Sequence, residues 1–434
     1  MAFRWGRTPA PTLADCDGSI YDPFPQMATA SNIEYGEARR VRREARRRQV
    51  RRRRLAAFGV LAALSVAAVL GLVQLVTGAG AAGTVSLTPV RSAAVVSPFR
   101  APLPEEIRGV HVTGPLMTLT GKLDSFLAMK KDGLNTIELD VKDETGNVAF
   151  VKGAPALALR DHAARRYYDP AEVVRKVHKA GVYLIGRVVS FEDPITSVAH
   201  PELAIHRSDG SLWRTNGGLG WLNPYSRAVW KYDVDVAVAA AKAGFDEIQF
   251  DYVRFPSDGD LSVIRYPGRH TQPMGETVAA FLRYAVGRLH PFGVRVSADV
   301  FGLSATHDLG IGQYPGQVGE VVDAIYPMVY PSHYRPGEYN LPNPNAAPGA
   351  TVSHSLRDFR VKLAGGRATL VPWLQDFSLG RSYTAADVAA QIAAARRYNS
   401  GGFMLWNAGG IYTPPELHAS STPPPLPVLP APQL

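Results

Sequence analysis

Asp251 stands in the middle of an apolar run, Asp246-Glu-Ile-Gln-Phe-Asp-Tyr-Val-Arg-Phe-Pro256, with Arg254 at its exit. A second carboxylate, Asp299, closes another such run, Val294-Arg-Val-Ser-Ala-Asp-Val300. An apolar core rejects lone charges, so these groups must be paired or held at the wet mouth of a site. Two carboxylates at successive strand ends suit acid–base chemistry. Hydrolysis of a glycosidic bond needs such a pair: one acid protonates the leaving oxygen, and the other carboxylate attacks the sugar carbon or activates water. Asp251 is the expected nucleophile or base and Asp299 the expected acid, with Asp140 the alternative for either.

Other chemically able residues fall at comparable places. In Glu138-Leu-Asp-Val-Lys-Asp143 a period of two sets Glu138, Asp140 and Lys142 on one face, where Lys142 can neutralise Asp140. His111, Arg187, Gln249, Tyr330, Gln375 and Asn407 sit at or just past the ends of apolar runs. Trp221, Tyr252, Trp373 and Trp406 offer faces for sugar rings, while Asn223, Gln249, Arg187 and Arg254 offer hydroxyl partners. The acid must keep its proton near neutral pH, so burial or like charge should raise one carboxyl. Asp193 before Pro194 and Asp143 before Glu144 read as ordinary caps and turns. No cofactor is expected, because the first strand runs into His111-Val-Thr-Gly-Pro115 rather than a glycine-rich phosphate loop.

The elements that must position these residues alternate in type. Apolar runs at 109–113, 136–141, 182–189, 247–255, 294–300, 324–330, 369–374 and 402–406 read as strands. Helical patterns lie between them near 119–132, 170–180, 226–243, 274–289, 317–323, 353–364 and 384–397. Asp169-Pro170 is a helix start, while Gly181 and Gly244 are helix stops. Eight such units over about 300 residues predict an α/β fold, a (β/α)8 TIM barrel, at 105–412 with its site at the strand C-termini.

The net charge of +9 comes mostly from the first 54 residues, with thirteen basic against six acidic groups; the rest has 34 against 32. That balance excludes a nucleic-acid footprint. Eleven arginines at 39–54 precede Leu55–Val76, 22 residues without charge. The pattern predicts a cytoplasmic basic tail at 1–54 and a single transmembrane helix at 55–76. A linker at 77–104, the barrel on the far side of the membrane and a Pro-rich tail at 413–434 would follow. The expected localisation is thus a single-pass cell-membrane protein acting on a cell-wall or extracellular polysaccharide. The one cysteine, Cys16, leaves no disulfide to stabilise the barrel.

The segments Arg108-Gly-Val-His-Val, Ile137-Glu-Leu-Asp-Val-Lys-Asp143, Tyr183-Leu-Ile-Gly-Arg-Val-Val189, Trp221-Leu-Asn-Pro224, Phe250-Asp-Tyr-Val-Arg-Phe-Pro256 and Ser297-Ala-Asp-Val-Phe-Gly302 carry a resemblance. Residues 108–412 resemble an uncharacterised bacterial family of glycoside hydrolases with a TIM-barrel domain, distantly similar to α-amylase-like barrels. The resemblance implies an Asp nucleophile after strand 4, at Asp251. The acid of those barrels is a Glu after strand 5, where this chain has Asp299. Gln249 replaces the arginine that precedes their nucleophile by two residues. Two other readings compete: a non-catalytic polysaccharide-binding protein, and a metal-dependent polysaccharide hydrolase or deacetylase using His111, Asp140 and Asp251.

Overall fold

The computed structural model of the chain describes residues 99–412 apart from 269 and 399. Eight parallel strands form the barrel wall: β1 Ile107–Val112, β2 Thr136–Lys142, β3 Tyr183–Val189, β4 Glu247–Asp251, β5 Arg295–Phe301, β6 Ala324–Val329, β7 Thr369–Leu370 with Trp373–Gln375, and β8 Gly402–Trp406. Each pairs with its sequence neighbours, and β8 pairs with β1, which closes the sheet. The expected barrel is present. Strand β7 is split because Pro372 has no N–H for the ladder. Val371 N still donates to Ile325 O at 3.0 Å, and Met404 N to Pro372 O at 2.9 Å.

Seven main helices follow β1 to β7 in turn: α1 Lys122–Ala128, α2 Pro170–Lys179, α3 Arg227–Ala243, α4 Met274–Leu289, α5 Pro315–Gly319, α6 Pro348–Lys362 and α7 Ala385–Arg397. Asp169 caps α2 by accepting from Ala171 N and Glu172 N. Gly244 ends α3 at φ 117°, a backbone shape that costs glycine least. Helices α5 and α6 begin before their expected starts, each with proline in its first turn, where the missing N–H costs nothing.

Period-two patterning divides the core. One face of the strands, with Ile137, Leu139, Leu184, Val188, Ile248, Phe250, Val296 and Ala298, packs outward against the helices. The other face fills the barrel floor with Ile107, Tyr183, Ile185, Tyr326, Val371, Trp373 and Met404. Gly109 leaves room there, since a Cβ would collide with the Met404 sulfur. Above this apolar plug the lumen turns polar.

Arg100 and Ala101, from the expected linker, are fixed in place: Arg100 N donates to Gly293 O at 2.7 Å and Arg295 Nη1 to Ala101 O at 2.7 Å. The loops after β3 and β4 meet in a short antiparallel pair, His206–Arg207 with Ile264–Arg265. The expected membrane architecture is corrected. Among the described residues no helix is long and apolar enough to cross a membrane. The longest, α3, has 17 residues, spans about 25 Å, and carries Arg227, Lys231, Asp233, Asp235 and Lys242. The segment 55–76 lies outside the described residues, as do 1–54 and the tail 413–434. The described fold gives the expected membrane anchoring and single-pass localisation no support.

Candidate active site

Strand C-termini bring most of the expected residues to one place. Arg187 on β3 is at its centre. Its Nε and Nη2 both donate to Asp251 Oδ2, at 3.0 and 2.8 Å, and its Nη1 donates to Asp140 Oδ1 at 2.8 Å. Glu144, after β2, lies 3.4 Å from the same Nη1. The guanidinium is almost fully buried; burial works against its charge, but Asp251, Asp140 and Glu144 hold its proton more tightly than usual. Gly114 N also donates to Asp140, at 3.3 Å. Burial raises the Asp140 carboxyl even so, against the pull of His111 and Arg187. On Glu144 burial pushes the same way but loses to Arg187, and that carboxyl ends below its ordinary range.

His111 on β1 meets Glu138 Oε2 through Nδ1 at 2.5 Å, with Nε2 3.7 Å from Asp140 Oδ1. Its ring stacks on Trp406 at 4.3 Å between centroids. Burial, aided by Arg187, pulls the imidazole down to about 4, which leaves it neutral near pH 7. Glu138 moves the opposite way, well above the ordinary range, through burial and the fields of Asp140 and Asp251. Glu247, lower on β4, accepts from Tyr183 OH at 3.0 Å and is likewise raised by burial.

Asp299 stands beside Asp251. The β4–β5 register pairs Phe250 with Ala298, so the next residues of the two strands are level, and alternation turns both into the lumen. Asp299 Oδ1 accepts from Trp373 Nε1 at 2.7 Å and from the Gln249 side-chain amide. Burial, then the charges of Asp251 and Glu138, raise the Asp299 carboxyl well above its ordinary range. Asp251 Oδ1 accepts from Tyr252 N at 2.7 Å. Tyr252 adopts φ 50°, rare for a non-glycine residue and common at functional sites. Arg254 lies over the rings of Trp221 and Tyr252, at 5.0 and 4.8 Å, and joins the rim. Tyr330 is buried, and its hydroxyl is raised by burial and by Asp299 and Asp251.

The chain matches the family described as "Putative glycosyl hydrolase domain" over residues 109–412. It belongs to this family. Membership supports a carbohydrate-active enzyme. A solved hypothetical protein from Ruminiclostridium thermocellum ATCC 27405 is 34% identical, covering 44% of this chain and 97% of that one, with a TM-score of 0.40. The PgaB (BpsB) glycoside hydrolase domain from Bordetella bronchiseptica is 12% identical over 70% of this chain and 94% of its own, with a TM-score of 0.49. The Bacillus cereus spore cortex-lytic enzyme SleL is 12% identical over 72% and 73%, at 0.42. No curated protein matches the chain.

Four expected residues of this family member lie apart from the carboxyl cluster or are committed elsewhere. Lys142 is the clearest. A register shift between Asp140 and Lys142 pairs Lys142 with Val188, a residue packed outward. The shift turns the ammonium away from Asp140 and into the layer beneath α3. There it bonds Asp233 Oδ1 at 2.8 Å and Ser190 O at 3.1 Å, and lies 2.9 Å from Asp193 Oδ2. Gln375 uses its amide on loop backbone, accepting from Ser332 N at 3.1 Å and donating to Phe377 O at 2.9 Å. Asn223 donates to Pro267 O at 3.0 Å, and Asn407 bonds Asp376 O and Gly409 N.

Two site carboxyls escaped the assignment from sequence, Glu144 and Glu192. Both follow strand ends in loops without period, so only their position after β2 and β3 pointed to them. As for a metal, among the described residues no group of three His, Cys, Asp or Glu side chains is placed to hold one.

Proposed function

We propose that the protein hydrolyses a glycosidic bond in an oligo- or polysaccharide, with Asp251 as the charged carboxylate and Asp299 as its protonated neighbour. One observation carries the reading: two level carboxyls face one lumen, yet Arg187 clamps only Asp251 while burial raises Asp299. Unlike environments are what split two carboxyls into separate roles. Trp406, Tyr252 and Tyr330 border the pair and offer faces for sugar rings, and Arg187 and Gln249 offer hydrogen bonds to hydroxyls. Asp140, tied to the same guanidinium, is the substitute for either role.

The test is turnover and binding together. Asp251→Asn and Asp299→Asn should each lower turnover of cell-wall or capsular glycans by at least about 100-fold while glycan binding persists. If the wild type binds glycan without cleaving any, and both variants bind equally well, the chain is a binding protein and the hydrolase reading is wrong.

A further inference from the structure

Glu192 follows β3 by three residues, at the rim of the same lumen, and is 5% exposed. Its backbone is set by pairing with Trp221, and Leu222 N donates to Phe191 O at 2.7 Å. The Trp221 ring meets Tyr252, whose own N–H bonds Asp251. Glu192 is thereby fixed against the aromatic wall of Trp221 and Tyr252 that also borders Asp251. Among the described residues, no hydrogen bond or ion pair ends on its carboxyl. The other carboxyls of the mouth are committed: Asp251, Asp140 and Glu144 to Arg187, Asp299 to two N–H donors, Glu138 to His111.

We propose that Glu192 is a catalytic residue, the group that protonates the departing glycosidic oxygen. This rests on the hydrolase reading and gives the proton transfer to Glu192 in place of Asp299. The Glu192 O–H proton passes to the oxygen as the C1–O bond breaks, and the bonding pair leaves with that oxygen. Water then delivers hydroxide to the anomeric carbon and its second proton to the Glu192 carboxylate, which restores the acid. Asp299 keeps its proton against Asp251.

The groups facing Glu192 are Arg254, Glu144, Asp258, Asp251 and the Tyr252 hydroxyl. Burial raises Glu192 to about 8; Arg254 opposes this, and Glu144, Asp258 and Asp251 add to it. A proton is thus held through neutral pH, as a general acid requires.

Glu192→Gln would be assayed on a panel of aryl α- and β-hexosides and N-acetylhexosaminides carrying either phenol or 2,4-dinitrophenol. Dinitrophenolate leaves without a proton. The variant's kcat/KM, which reports only the step that expels the leaving group, should fall about 100-fold or more on phenyl substrates and less than about 10-fold on dinitrophenyl ones. The fall of wild-type kcat/KM above pH 8 should vanish with it. Asp299→Asn should instead lose both substrate classes alike. Equal losses on both classes in Glu192→Gln, or none, overturn the assignment to Glu192 and leave the hydrolase reading standing. A wild type inactive on every glycoside overturns both. Unchanged thermal unfolding of Glu192→Gln at about pH 6, where Glu192 still holds its proton in the fold, and Glu192→Asp falling between the two on phenyl substrates, separate chemistry from misfolding.

Discussion

Arg187 decides the electrostatics of the site, because one guanidinium answers three carboxylates. Asp251 and Asp140 accept from it directly, and Glu144 completes the set from the solvent side. Removing one partner of a buried ion network leaves uncompensated charge, at a cost of about 3–5 kcal/mol. Arg187→Met should show a loss of that size in urea unfolding. A loss below about 1 kcal/mol would mean that water, and not the arginine, stabilises these carboxylates. Lysine should not substitute, since a point charge cannot reproduce two N–H bonds converging on Asp251 Oδ2 together with a third to Asp140. At this scale the sequence was legible where charge interrupted an apolar strand, as at Asp251, Asp299, Asp140 and Arg187. Glu192 and Glu144 lie past the strand ends, where no pattern separates a site carboxyl from a solvated one.

Strand β2 shows where an element-level rule fails. Alternation sends Glu138 and Asp140 into the lumen, and by the same count should send Lys142 there too. The register shift after Asp140 breaks the count and places Lys142 between Asp193 and Asp233. A bulge leaves no mark in a single sequence when no glycine signals it. The partner did leave one: Asp233 lies four residues after Val229 and three before Val236, on the apolar face of α3 rather than among its solvated charges. Burial lifts the Asp233 carboxyl up to about 7, and Lys142 opposes it. Asp193 also caps the short helix Pro194–Ala199 by accepting from Thr196 N at 2.7 Å, so this cluster anchors the segment that carries Glu192. Lys142→Met should cost about 3–5 kcal/mol in denaturant unfolding, and adding Asp233→Leu should restore part of it. Additive losses in the double variant would show that the two side chains do not stabilise each other. Other element boundaries shifted for simpler reasons: prolines start α5 and α6 early, and Pro372 splits β7.

The barrel is an apolar plug beneath a mouth crowded with carboxyls, and that asymmetry sets its response to pH. Glu192 is raised from 4.5 to about 8 by burial, and Asp233 from 3.8 to about 7. Asp299, Glu138 and Glu247 move in the same direction. A group raised on folding contributes stability that is whole below its unfolded pKa and is lost as pH climbs through the folded one. His111 acts in the opposite sense. Lowered from 6.5 to about 4, it costs stability only as pH falls below 6.5. Between pH 6.5 and 8 the carboxyls therefore act with nothing from His111 to offset them. Glu192 alone removes about 2 kcal/mol across that window, or roughly 4 °C of Tm for a domain of this size. The melting temperature should thus fall steadily from pH 6.5 to 8.5, and Glu192→Gln should make the slope shallower. A melting temperature that holds or rises over that range would mean that these carboxyls are already ionised in the fold. The proton on Glu192 that the chemistry needs would then be missing, so a stability curve alone bears on the catalytic assignment before any substrate is known.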